Sequence, residues 1–178
     1  MATARDEGGN GDFAIRPAVP ADTALILSLI RGLAEYERLL DLCVVTGEAL
    51  EKWIFRAGLA EAILGEAGGV PVGFALFYPT FSTFLGKPGL YVEDLFIKPG
   101  ARGKGYGRQM LRHLARLAVE RGCGRLEWAC LDWNRPGIAF YTSLGAEPLD
   151  AWTTYRLDGG ALEGLANGAP SPAGKRPD

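Results

Sequence analysis

Arg102-Gly103-Lys104-Gly105-Tyr106-Gly107-Arg108 packs three cations and three glycines into seven residues, and the chemistry open to such a segment is the binding of an anion. It stands between a strand-like run, Tyr91 to Ile97, and an amphipathic helical pattern from about Gly105 to Arg121, in which Met110, Leu111, Leu114 and Leu117 recur at helical spacing. A helix N-terminus presents main-chain N–H groups without intrahelical acceptors and a partial positive charge. Glycines let a pyrophosphate approach those groups, and Arg102, Lys104 and Arg108 can add side-chain charge. Glycine also serves ordinary turns, so the loop alone leaves that reading open. It lacks the GxxxxGK[ST] of a nucleotide-triphosphate loop, and it comes too late in the chain, without the downstream acid, for a dinucleotide fold. Just upstream, Glu93 and Asp94 form an acidic pair on a strand. Alternation sends their carboxylates to opposite faces, so only one of them can face a cleft.

The elements that must position these groups follow from the pattern of apolar and turn residues. Phe13 to Arg16 reads as a strand, and Asp22 or Thr23 can cap a helix carrying Leu25, Leu29 and Leu33 on one face. Thr46 can cap a second helix with Leu50, Trp53 and Ile54 at helical spacing. Glu61 to Glu66 and Val70 to Tyr78 are strand-like runs joined at Gly68-Gly69, a dipeptide suited to a tight antiparallel hairpin. After the glycine-rich loop and its helix, Leu126 to Leu131 reads as a strand, Arg135 to Leu144 as a helix ended by Gly145, and Trp152 to Leu157 as a last strand. Helices interleaved with strands, plus an early antiparallel hairpin, give an α/β (α+β) fold with a central mixed sheet covered by helices.

A chain of 178 residues is long enough for one substantial core and short for two. The composition of residues 1–12 and 163–178, rich in Gly, Pro, Ala and charge, predicts mobile ends around one domain spanning residues 13–162. A formal net charge of -2 supplies no overall positive field to attract nucleic acid. Cys43, Cys123 and Cys130 form no CxxC pair, and His113 is the sole histidine, so the expectation is reduced thiols and no metal. No apolar run approaches the length of about 20 residues that crosses a bilayer, and the N-terminus is not signal-like; a cytoplasmic protein without a membrane partner is expected.

The RxxGxG pattern of Arg102, Gly105 and Gly107 resembles the acetyl-coenzyme A motif of the GNAT superfamily of N-acetyltransferases. Leu33-Ala-Glu-Tyr-Glu37, Val72-Gly-Phe-Ala75, Tyr91-Val-Glu-Asp-Leu-Phe-Ile97, Trp133-Asn134 and Ala139-Phe-Tyr141 followed by Gly145-Ala146 are similar to its diamine (spermidine/spermine) branch. The likeness covers nearly all of residues 13–160, and the motifs occur in the family's order.

For that family the resemblance implies a largely antiparallel sheet splayed open between the strand at Tyr91 to Ile97 and the strand at Leu126 to Leu131. Acetyl-coenzyme A would lie there, with main-chain hydrogen bonds from Leu95, Phe96 and Ile97 to its pantetheine arm. Arg102, Gly103, Lys104, Gly105, Tyr106, Gly107 and Arg108 would hold its pyrophosphate. Tyr141, on residue type alone a helix-face aromatic, matches the family's catalytic tyrosine, whose phenol can protonate a departing thiolate. Glu93 matches the base, acting through water, with Asp94 structural. A carboxylate is a weak base for an ammonium, so desolvation or a water chain has to help. Asn134 matches a cofactor contact, although capping the helix at Arg135-Pro136 would equally explain it. Tyr36 and Glu37 match positions lining the amine site, where an aromatic face and a carboxylate both attract a cation.

Leu39-Leu40-Asp41-Leu42 is less acidic than the corresponding stretch of the polyamine enzymes, and Ser82 stands where they tend to have an acid. The implied substrate is a small cationic amine: a diamine, a polyamine or a lysine-like compound such as thialysine. A homodimer is the family expectation. Acetylation of a protein N-terminus or lysine is the alternative within enzymes, and a non-catalytic acyl-coenzyme A-binding module the alternative outside them. The presence of both Glu93 and Tyr141 argues for chemistry.

Overall fold

The computed structural model describes residues 12–168, so the expected N-terminal mobile segment lies outside the described residues apart from Asp12. By contacts the chain divides into two units, one ending at Ala129 and one beginning at Cys130.

The first unit is built on a five-stranded sheet in the order β1 (Phe13–Pro17), β2 (Glu61–Ala67), β3 (Val70–Ser82), β4 (Lys87–Ile97) and β5 (Leu126–Trp128). The first three pairings are antiparallel and the last, β4 with β5, is parallel, which is the mixed sheet expected. Gly68 and Gly69 both adopt positive φ, 57° and 76°, the backbone that a two-residue hairpin requires and that glycine takes without steric cost. The helix α1 (Thr23–Tyr36) and the short α2 (Gly47–Leu50), continued by a π-helical stretch over Glu51–Arg56, bury Ile26, Leu29, Leu50 and Ile54 against Ala62, Leu64, Phe74 and Phe96. The helix α3 (Tyr106–Glu120) packs on β1, β4 and β5 and buries Met110, Leu111, Leu114 and Ala118.

The start of α1 differs from the expected cap. The Asp22 carboxylate does not cap; it accepts Arg16 Nη1 at 2.7 Å and the Val19 N–H at 2.8 Å, while Thr23 Oγ donates to Pro20 O at 2.7 Å. Arg16 Nε also donates to Glu66 Oε1 at 2.8 Å, so one guanidinium ties β1, β2 and the entry to α1 together and draws Asp22 away from the helix end. Thr46 does cap, accepting the Ala49 N–H at 3.2 Å.

The second unit holds two helices, α4 (Arg135–Thr142) and α5 (Gly159–Ala166), and no strand among the described residues. Trp152–Leu157, expected as a last strand, is irregular, with Trp152 and Tyr155 exposed at 75% and 90%. Alternation makes a segment able to pair; a strand forms only where an edge accepts its N–H and C=O groups. The strand expected at Leu126–Leu131 stops at Trp128 for the same reason, because the register with β4 ends there. The tail expected from Glu163 begins inside α5 and, from residue 169, lies outside the described residues.

Candidate active site

The strand β4 carries the site, and its shape depends on one irregularity. Leu76 of β3 pairs with Asp94, but the next residue, Phe77, pairs with Val92, so Glu93 is an extra residue in a β-bulge. A bulge breaks the two-residue alternation. Tyr78 pairs with Tyr91, and the Tyr78 hydroxyl donates to Glu93 Oε2 at 3.1 Å, which puts Glu93 on the face of Tyr78 and Tyr91. Leu76 packs against the cluster under α1, so its partner Asp94 faces that side too. The expectation that the two carboxylates diverge is therefore corrected: the bulge brings Glu93 and Asp94 to the same face.

A third acid joins them. Glu37 follows the last residue of α1, and burial raises its pKa. The Asp94 carboxyl is pushed up to about 7, first by burial and then by the charges of Glu93 and Glu37. Three carboxylates thus share a partly desolvated patch, where a cation would relieve their mutual repulsion. The Tyr78 phenol is pushed up to about 12 by burial and by Glu93, and Tyr91 is raised by the same two causes, so both stay protonated at neutral pH.

Beyond the bulge β4 loses a neighbour on one side. Its parallel pairing with β5 runs only from Leu90↔Leu126 to Val92↔Trp128, and residues 93–97 extend past it. The Lys98 N–H donates to Val72 O at 2.8 Å, and a Cβ placed on Gly73 would meet the Phe96 carbonyl at 2.5 Å. Phe96 therefore turns its main chain toward β3, and alternation turns the main-chain groups of Leu95 and Ile97 toward the open edge. Off the β3 ladder this leaves the main-chain groups of Leu95 and the Ile97 N–H, while the Ile97 carbonyl accepts from Arg102; the Phe96 main chain, expected as a cofactor contact, is committed to the sheet. Phe96 contributes its ring, which is buried in the core.

The glycine-rich loop follows. Gly105 sits at the N-cap of α3 with φ 80°, and the first helical bond is from the Gln109 N–H to Gly105 O, so the N–H groups of Tyr106 and Gly107 precede the helical ladder. A Cβ built on Gly103 or Gly105 meets nothing within 4 Å, so these glycines do not relieve crowding; they leave an open approach to main-chain donors at a helix N-terminus. Lys104 and Arg108 are exposed beside it. Arg102 is placed otherwise: its Nε donates to Ile97 O at 2.9 Å and its guanidinium lies 4.3 Å above the Tyr36 ring, joining the loop to β4 and to the end of α1. The donor set and the open glycine backbone suit a pyrophosphate.

In the second unit the Asn134 side chain accepts the Gly137 N–H at 3.1 Å, so the capping reading of this residue is realised. Tyr141 lies on α4, half-buried, with its ring 5.2 Å from that of Phe140. Ser82 is buried in the β3–β4 turn, where its Oγ accepts the Leu85 N–H at 3.2 Å, a turn role that an acid could not fill without desolvation. Tyr78 and Tyr91 were missed by reading the residues; the spacing of Tyr91 and Glu93, two apart on a strand, was the available signal.

The chain is similar to known proteins over most of its length. The acetyltransferase (GNAT) family pattern matches residues 33–146. A thialysine N-epsilon-acetyltransferase of Sus scrofa is 37% identical over 164 residues, covering 85% of this chain and 96% of that protein. An L-ornithine N5-acetyltransferase of Arabidopsis thaliana is 31% identical, covering 85% of this chain and 86% of that one. Among solved structures, an integron cassette protein from the mobile metagenome of V. cholerae superposes with a TM-score of 0.75 at 26% identity, covering 88% of this chain and 99% of that chain. GNAT enzymes use acetyl-coenzyme A as cosubstrate. With the family pattern over more than half its length and amine acetyltransferases among its relatives, the chain belongs to the GNAT acetyltransferase family and is an enzyme that moves an acetyl group onto an amine.

Proposed function

We propose that the acceptor is a small, lysine-like amine, of the class to which thialysine and ornithine belong, and that it enters beside Glu93. The observation that carries this reading is the bulge at Glu93, which gathers Glu93, Asp94 and Glu37 into one acidic patch bordered by tyrosines. An ammonium is attracted there by charge and by aromatic faces. A lysine-like amine carries a second ionised group beyond the reacting nitrogen, and the Arg102 guanidinium over Tyr36 is a cation at the edge of the same patch. That arrangement favours an amino acid with its own carboxylate over a fully cationic polyamine.

In this reading acetyl-coenzyme A supplies the activated acyl thioester. The N–H groups at the start of α3, with Gly103, Lys104, Gly105, Tyr106, Gly107 and Arg108, hold the pyrophosphate, and the outward main-chain groups of Leu95 and the N–H of Ile97 hold the pantetheine arm. Glu93 accepts the proton that the ammonium must lose before it can act as a nucleophile, directly or through one water. Asp94 and Glu37 hold the second positive charge or the approaching ammonium. Tyr141 supplies the proton for the departing thiolate; this role rests on the family motif alone. The reading includes a homodimer in the cytoplasm, where acetyl-coenzyme A is supplied. Exposed Trp152, Tyr155 and Leu165 offer apolar surface for a second copy, which light scattering tests.

The experiment is thiol release from acetyl-coenzyme A with thialysine, lysine, ornithine, spermidine and a peptide N-terminus as acceptors. The reading expects the highest kcat/KM among the amino acids. Preference for spermidine removes the assignment of the acceptor, and preference for the peptide restores the protein-acetylating alternative.

A further inference from the structure

The Glu93 side chain has a difficulty that the bulge creates. A residue in a bulge lacks a partner directly across the ladder, and Glu93 is exposed, so nothing in the regular pairing fixes its three side-chain torsions. A base must nevertheless stand within hydrogen-bond reach of the proton it removes. Tyr78 meets that need. It lies directly across β3–β4 from Tyr91, two residues before Glu93, which makes Glu93 its diagonal neighbour on the same face, within reach of a long aromatic side chain. The Tyr78 ring is braced against Tyr91, centroids 5.4 Å apart and planes 31° apart, and its hydroxyl donates to Glu93 Oε2 at 3.1 Å.

We propose that Tyr78 is a positioning residue for the transfer reaction: it holds the Glu93 carboxylate by one oxygen and leaves the other for the incoming amine or the water that relays its proton. The inference rests on the reading of Glu93 as the base. Burial keeps the phenol protonated far above neutral pH, so the donor is constant while Glu93 takes up and gives back its proton. A phenol bound to one oxygen restricts the carboxylate without neutralising it, which an arginine at the same place would do.

The test is a double-mutant cycle on the full chain with Tyr78→Phe, Glu93→Gln and the pair, following thiol release and, separately, KM for acetyl-coenzyme A. Phenylalanine keeps the ring against Tyr91, so melting temperature should change little, which circular dichroism checks. The expected result is a fall in kcat of about tenfold for Tyr78→Phe, with KM for acetyl-coenzyme A within about twofold of wild type. In the Glu93→Gln background the same substitution should change kcat by less than about twofold, because a residue acting through Glu93 has nothing left to position. An undiminished tenfold loss in that background, or no loss in the single variant, overturns the proposal while leaving Glu93 as the base. Wild-type turnover by Glu93→Gln removes the base assignment itself, and this inference with it.

Discussion

Two stretches of the site lie within about fifteen residues of one another on the chain, and they work by opposite means. The loop from Arg102 to Arg108 offers main-chain N–H groups, and its glycines matter for what they leave out. The bulged segment of β4 offers side chains, and there a single extra residue decides which way they point. The first is a local device: helix start, positive φ and glycine spacing are all written within seven residues. The second is non-local, because the direction of Asp94 depends on whether Phe77, seventeen positions earlier, pairs with Val92 or Glu93. If the main-chain device binds and the side-chain device reacts, as proposed, the two regions should fail in different kinetic parameters.

The largest effects are expected at the side chains proposed to react. Glu93→Gln and Tyr141→Phe should each lower kcat by roughly 10²- to 10⁴-fold with little change in acetyl-coenzyme A affinity, since acid and base catalysis act in the transition state. Stopped-flow measurement of the chemical step checks this, and a loss confined to KM would erase the distinction between the regions.

Next in size is the loop. Gly107→Val, in the first turn of α3 and without a positive φ to confound the result, should cost about 2 to 4 kcal/mol of cofactor binding by blocking approach to two N–H donors. Calorimetric titration with acetyl-coenzyme A reads that directly, with Gly105→Val as a companion whose own strain at φ 80° must be judged from its melting temperature. Unchanged affinity in a folded Gly107→Val variant would take the pyrophosphate out of the loop.

The smallest effect concerns stability. The Asp94 carboxyl has its pKa raised in the folded chain to about 7 from 3.8, so the folded state binds more protons than the unfolded one between those values. Stability contributed by this group falls as pH rises through that window. Asp94→Asn removes the liability and should be more stable than wild type above pH 7, with the gap shrinking as pH falls toward about 4. Urea melts across that range check the sign, and a gap that widens toward acid would mean the carboxylate is stabilised in the fold.

How much could be read in advance follows the same division. Gly68-Gly69, the α3 periodicity and the RxxGxG pattern each encode a local conformation, and each is found in place. Misreadings fall where a distant partner decides. Alternation separated Glu93 from Asp94 because the bulge leaves no composition of its own. Asp22 or Thr23 was expected at the cap, yet Asp22 is held by Arg16, which is itself tied to Glu66 on a strand fifty residues away. Leu95, Phe96 and Ile97 were grouped as cofactor contacts, whereas the parity of β4 against β3 takes Phe96 out. Trp152–Leu157 has a strand's pattern but pairs with no strand among the described residues. Tyr141, by contrast, has its expected role from the family motif alone, since its helix spacing gives it none.

Whether Glu93 acts as a base from the bulged strand is tested most directly by the pH dependence of kcat/KM for Glu93→Gln against wild type. From about pH 6 to pH 10 the variant should recover a growing fraction of wild-type activity, because more of the amine arrives already neutral and needs no base. A rate ratio between variant and wild type that stays constant across this range would contradict the assignment and leave Glu93 with the binding of charge alone.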